Sequence, residues 1–160
     1  MNLASLTMLA AMWCAGLSLT DVTLPSAEEA VMRAVEWPDA VRVTSRESDD
    51  VTMKGARVFE VSARDAGDDA PVGLQIQMRA CPTLEEAAMA MQSATRFIAA
   101  GGRSRQITGA DESMELSDAL LVRKERVVFV IQYGRKASRE YAQEAVAARV
   151  LDAIARSATE

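Results

Sequence analysis

Apolar and polar positions change their period several times along the chain, and each change marks an expected element. Ala27, Ala30, Val31, Ala34 and Val35 recur on one stripe of a 3.6-residue helix. The run Ser26-Ala27-Glu28-Glu29 just before has the form of a capping box, in which the Ser hydroxyl accepts from the third helical N–H and the Glu reaches back. Pro38 closes the pattern. The period then becomes two. Val41 and Val43 alternate with Arg42 and Thr44, the polar run Glu47-Ser48-Asp49-Asp50 interrupts, and Val51, Met53, Phe59, Val61 and Ala63 share one parity. Gly55 and Arg57 disturb that parity, so two strands with a bend or bulge near Gly55 are expected. After a turn-rich stretch from Asp65 to Pro71, Val72, Leu74, Ile76, Met78 and Ala80 alternate without error with polar or small residues, which is the clearest strand in the chain.

The second half repeats the plan. Thr83-Leu84-Glu85-Glu86 is another capping box, and Leu84, Ala87, Ala88, Met91, Ala94, Thr95 and Ile98 follow at helical spacing until Gly101-Gly102, predicting a helix over 84–100. Residues 103–108 read as a short strand, 111–115 as a loop, and 119–123 as a strand that turns at 124–126 into the strongly β-forming run Val127 to Tyr133. That turn lacks Asn-Gly or Asp-Gly, so its register is open. Ser138 is the expected cap of a last helix whose apolar side is Val146, Ala147, Val150, Leu151 and Ile154.

Helix, βββα and βββα in that order predict an α+β fold: an antiparallel sheet of about six strands with the helices packed against it. A constant offset of 55 aligns the two units, matching Leu74 with Phe129, Ile76 with Ile131, Gln77 with Gln132, Met78 with Tyr133, Thr83 with Ser138, Ala87 with Ala142 and Met91 with Val146. A shared strand-to-helix pattern without duplication gives the same matches.

No charged residue occurs from Leu3 to Leu19. The run is short for a membrane span, which needs about 20 residues, and suits the apolar part of a secretory signal. Small residues around Gly16 and Ser18 place cleavage after one of them, so the expectation is a signal peptide over 1–18, a single domain over 19–160, and export to a periplasm or the medium. Retention of 3–19 as a membrane anchor is the alternative, because no Lys or Arg precedes the apolar run. Trp13 directly before Cys14 departs from the small-residue box of a lipid-modified cysteine. Removal of Cys14 leaves Cys81 alone, so the core and not a disulfide must hold the domain.

Composition narrows the chemistry. The 160 residues contain no histidine, which removes Ser-His-Asp and Cys-His nucleophile systems and imidazole metal sites. A net charge of −5 disfavours nucleic acid and anionic lipid as partners. No phosphate-cradling Gly-rich loop, nucleophile elbow, S-x-x-K or C-x-x-C occurs. Weaker features remain. Cys81, two residues before a helix cap, is either an activated thiolate or a partly buried inert thiol, on the outward parity of a strand that is ending there. Arg123, Lys124, Arg126, Arg135, Lys136 and Arg139 against Glu125 make a local +5, read as two small groups at opposite tips of a hairpin. Asp49, Asp50, Asp65, Asp68 and Asp69 lack calcium-loop spacing, and Glu85–Glu86 and Asp111–Glu112 are adjacent pairs unsuited to paired-acid catalysis. The sequence therefore assigns no catalytic residue, no metal ligand and no cofactor. It favours an exported non-catalytic module binding a partner protein or a small ligand, against a histidine-free enzyme or a membrane-tethered accessory domain.

Overall fold

A computed structural model describes residues 25–38, 41–49, 53–64, 71–98, 102–116, 118–133 and 141–157. The expected leader, Cys14, Asp50, Asp65, Asp68, Asp69, Arg135, Lys136, Ser138 and Arg139 lie outside the described residues. In chain order the elements are α1 (Ala27–Ala34), β1 (Val41–Glu47), β2 (Arg57–Arg64), β3 (Pro71–Ala80), α2 (Leu84–Ile98), β4 (Arg103–Ser104), β5 (Glu112–Glu115), β6 (Ala119–Lys124), β7 (Val127–Tyr133) and α3 (Gln143–Ser157).

The strands form one seven-stranded sheet in the order β1-β2-β3-β7-β6-β5-β4, antiparallel throughout. It is an α+β fold. The strand count exceeds the expected six because 111–115, read as a loop, contains β5, whose Met114 pairs with Leu121 of β6. The strand expected over 103–108 shrinks to the two residues of β4. The β3–β7 pair, in which Ile76 lies opposite Ile131, has two strands beyond it on one side and three on the other.

Two apolar clusters sit on opposite faces of the sheet. On one face α1 and α3 pack together, with Val31, Met32, Val35, Val146, Val150 and Ile154 against Phe59, Leu74, Ile76, Leu120, Phe129 and Ile131. On the other, α2 crosses β6 and β7 and lays Ala87, Ala90, Met91 and Ala94 on Leu121, Val128 and Val130. Alanines at three of these four helix positions let the backbone approach the sheet closely. β6 and β7 are thus sandwiched, which is why both parities of 119–122 and 128–131 are apolar and buried. No described helix covers the α2-side face of β1, β2 and β3, where Glu60, Ser62, Gly73, Gln75 and Gln77 are exposed or half-exposed and Val58 is buried.

Ser26 and Glu29 make both hydrogen bonds of the expected capping box, while at Thr83 one of the two is present, the hydroxyl accepting from the Glu86 N–H at 3.1 Å. Burial is rotated from the expected stripe in two helices. In α1 the buried residues are Glu28, Val31 and Met32 while Ala27 and Ala30 are exposed, because the Glu28 carboxylate turns inward to accept from the Ala80 N–H at 2.8 Å. In α2, Leu84 is 60% exposed since the helix begins beyond the sheet edge of its cluster. Residues 53–56 bend back as a one-turn loop with Gly55 at φ +79°, and Met53 is buried in the α2-side cluster instead of continuing a strand.

Candidate functional site

A cleft of about 610 Å3 lies between the C-terminal half of α2 and the β4–β5 connection. Its volume is within the range of small-molecule sites, roughly 300–1,000 Å3. Met91, Ile107, Ala110 and Met114 form its apolar part, and Gln92, Arg96 and Gln106 its polar part. Helical spacing puts Gln92 and Arg96 side by side one turn apart.

The loop that walls this cleft is tightly strapped. The Ser113 hydroxyl accepts from the Ile107 N–H and donates to the Arg105 carbonyl, while Arg105 pairs with Glu115 at 3.0 Å and with Glu144 of α3. Behind it, Asp111 organises the β6–β7 turn. Its carboxylate accepts from the Glu125 N–H at 2.5 Å, and Lys124 and Arg123 stand 3.5 and 3.6 Å away. Glu125 has φ +50°, a left-handed conformation that turn residues with side chains rarely adopt, so the turn without Asn-Gly depends on Asp111 to hold it. The Glu125 N–H, helped by Lys124 and Arg123 and opposed by partial burial, keeps the Asp111 carboxyl below the usual range. Glu112 pairs with Arg123 at 2.7 Å.

The residues singled out from sequence are distributed as follows. Arg123 and Lys124, two of the three described members of the basic group, are neutralised by Asp111 and Glu112, and the third, Arg126, donates to the Pro82 carbonyl. Asp111 and Glu112 are not a catalytic pair; both are engaged by cations of β6. Cys81 does not face solvent. The outward parity that it follows leads under α2, where it is 4% exposed, and its N–H donates to the Arg126 carbonyl at 2.8 Å. Burial pushes its thiol above the ordinary value, Arg79 opposes this, and Glu86 and Glu28 add to it. An inert thiol results. Asp49 is exposed, Glu85 is exposed and Glu86 half-exposed on the first turn of α2. Among the described residues no three Cys, Asp or Glu converge as a metal site.

Other concavities lie elsewhere among the described residues. One of about 490 Å3 lies over the open face of β1–β3, lined by Arg42, Thr44, Glu60, Ser62 and Gln75. Another, about 480 Å3, runs between the start of α1 and the end of α3 past Cys81. Gln92 and Arg96 were visible in the sequence only as part of the polar stripe of α2 opposite its alanines, and Gln106, in the β4–β5 connection, carried no signal. Compared with protein-family models, curated proteins and solved structures, the chain shows no match.

Proposed function

We propose that this protein is an exported, non-catalytic domain that binds a small molecule in the cleft between α2 and the β4–β5 connection. The observation that carries the reading is the pairing of size with chemistry: a cleft of about 610 Å3 whose acids are consumed by internal ion pairs while neutral amides and an apolar floor stay available. Catalysis would call for a group tuned toward proton transfer or attack. Among the described residues the perturbed titrations run the other way, with the Asp111 carboxyl held below its usual range and the Cys81 thiol pushed above its own. A protein-docking role would call for a broad apolar surface, and among the described residues the large exposed apolar side chains are only Val43 on β1 and Leu84 and Met89 on α2.

Export is proposed from the uncharged run Leu3 to Leu19. Among the described residues no helix is long and apolar enough to cross a membrane. N-terminal sequencing of the protein from its own cells tests this: a chain beginning at Leu17 or Leu19 is expected, and recovery of residues 3–19 in the membrane fraction overturns it. For the ligand, mass spectrometry of small molecules released from the purified protein is compared with the Ala110→Trp variant, whose indole fills the cleft. A compound enriched on the unaltered protein and lost from the variant is the expected result. Equal recovery from both overturns the assignment of the cleft.

A further inference from the structure

The charges lining the cleft are Arg96, Arg105, Asp111 and Glu112. Three are already engaged: Arg105 by Glu115 and Glu144, Asp111 by Arg123 and Lys124, and Glu112 by Arg123. Among the described residues Arg96 alone of the four has no ion pair or hydrogen bond. The charge the cleft can offer to a guest is therefore a single positive one, carried by a planar fork that matches two oxygens at once. Gln92 on the same face of α2 and Gln106 across the cleft add neutral amide donors and acceptors without a partner of their own.

One cation, rather than a cluster, suits a monoanion. A phosphate dianion would meet one Arg here, with the carboxylates of Asp111 and Glu112 lining the same space and a chain of net charge −5 around it. Beneath the polar rim, Ile107 and the flexible, polarizable Met114, with the edge of the buried Met91 behind them, give an apolar surface that suits an alkyl or similar body. Resting on the ligand-binding reading above, we propose that the ligand is an amphiphilic carboxylate, its head held by the Arg96 guanidinium with Gln92 beside it, and its apolar body lying on Met91, Ile107 and Met114.

Octanoate, 1-octanol and octylamine share a body and differ in head, so calorimetric titration with each separates the contributions. Methyl NMR of the protein labelled at methionine reports where each probe lies. Octanoate is expected to bind at least about tenfold more tightly than 1-octanol, to shift the Met91 and Met114 methyls, and to lose roughly tenfold or more in affinity in Arg96→Gln, the size of a lost charge-assisted hydrogen bond. Arg33→Gln, on the exposed side of α1, is expected to bind as the unaltered protein does. Equal binding of the three probes with Met91 and Met114 shifted, or an Arg96→Gln variant of full affinity, overturns the carboxylate assignment and leaves the cleft as a ligand site. Failure of every probe to bind or to shift those methyls overturns this inference and counts against the cleft itself.

Discussion

The β6–β7 half of the sheet and the β1–β3 half are built from the same antiparallel ladder, and they differ in how many helices cover them. β6 and β7 lie between α2 on one face and α3 on the other, and Ala119 to Val122 and Val128 to Ile131 are buried at every position. β2 and β3 have α1 on one side and no described helix on the other, so Phe59, Val61, Leu74 and Ile76 are buried while Glu60, Ser62, Gly73 and Gln75 are not. A strand's side-chain period thus reports its number of covers, not its strength as a strand. The double-sided half supplies the rigid floor on which α2 lies, and α2 in turn forms one wall of the proposed ligand cleft.

Alanine substitution at successive strand positions is the sharpest way to break this comparison. In β7, Val130→Ala and Ile131→Ala are each expected to lower unfolding free energy by about 2–4 kcal/mol in urea titrations, because both face a packed layer. In β3, Ile76→Ala should cost about 3 kcal/mol and its neighbour Gln75→Ala less than about 0.5 kcal/mol. Equal costs at positions 75 and 76 would show that the β1–β3 face is covered after all.

Glu28→Ala comes next in size. It removes the buried acceptor of the Ala80 N–H and is expected to cost about 2 kcal/mol by the same measurement, more than the expected stripe of alanines in α1 would suggest. Asp111→Ala, on the more exposed turn, is expected to cost about 1 kcal/mol at neutral pH. Since the folded pKa of Asp111 is depressed, its contribution is present above the unfolded value of about 3.9 and is lost as pH falls through the folded one, so variant and parent should converge in stability in acid. A gap that persists at low pH would mean that shape, not charge, is what the carboxylate provides. The smallest effect is kinetic: Cys81 should react with a thiol reagent in the native protein far more slowly than in denaturant, at a rate that tracks unfolding. Rapid native labelling would place that thiol in an open trough.

Much of the fold was legible because its signals were local. The run 72–80 gives β3 through unbroken alternation, and the apolar side of α3 matches its buried residues from Val146 to Ile154. β5 was not legible, as Glu112-Ser113-Met114-Glu115 has no strand pattern and is a strand through its pairing with β6. The side on which α2 packs was present in the sequence as paired apolar parities in 119–122 and 127–131, a signal of two covers rather than of strong β propensity. The cleft was not readable because its walls, α2 and the 104–114 connection, meet only through the crossing of α2 over β6 and β7. Cys81, expected as a partly buried inert thiol, is buried because the outward face at the end of β3 lies under α2.

β1 forms one end of the sheet, and its seven residues would align fully with a second copy only if centred on Thr44. That alignment sets Arg42 against Arg46 twice, and directly opposed like charges on neighbouring strands repel. The most extensive way for one molecule to extend another's ladder is thereby the one its own sequence resists, so the border that is most open to runaway stacking carries its own deterrent.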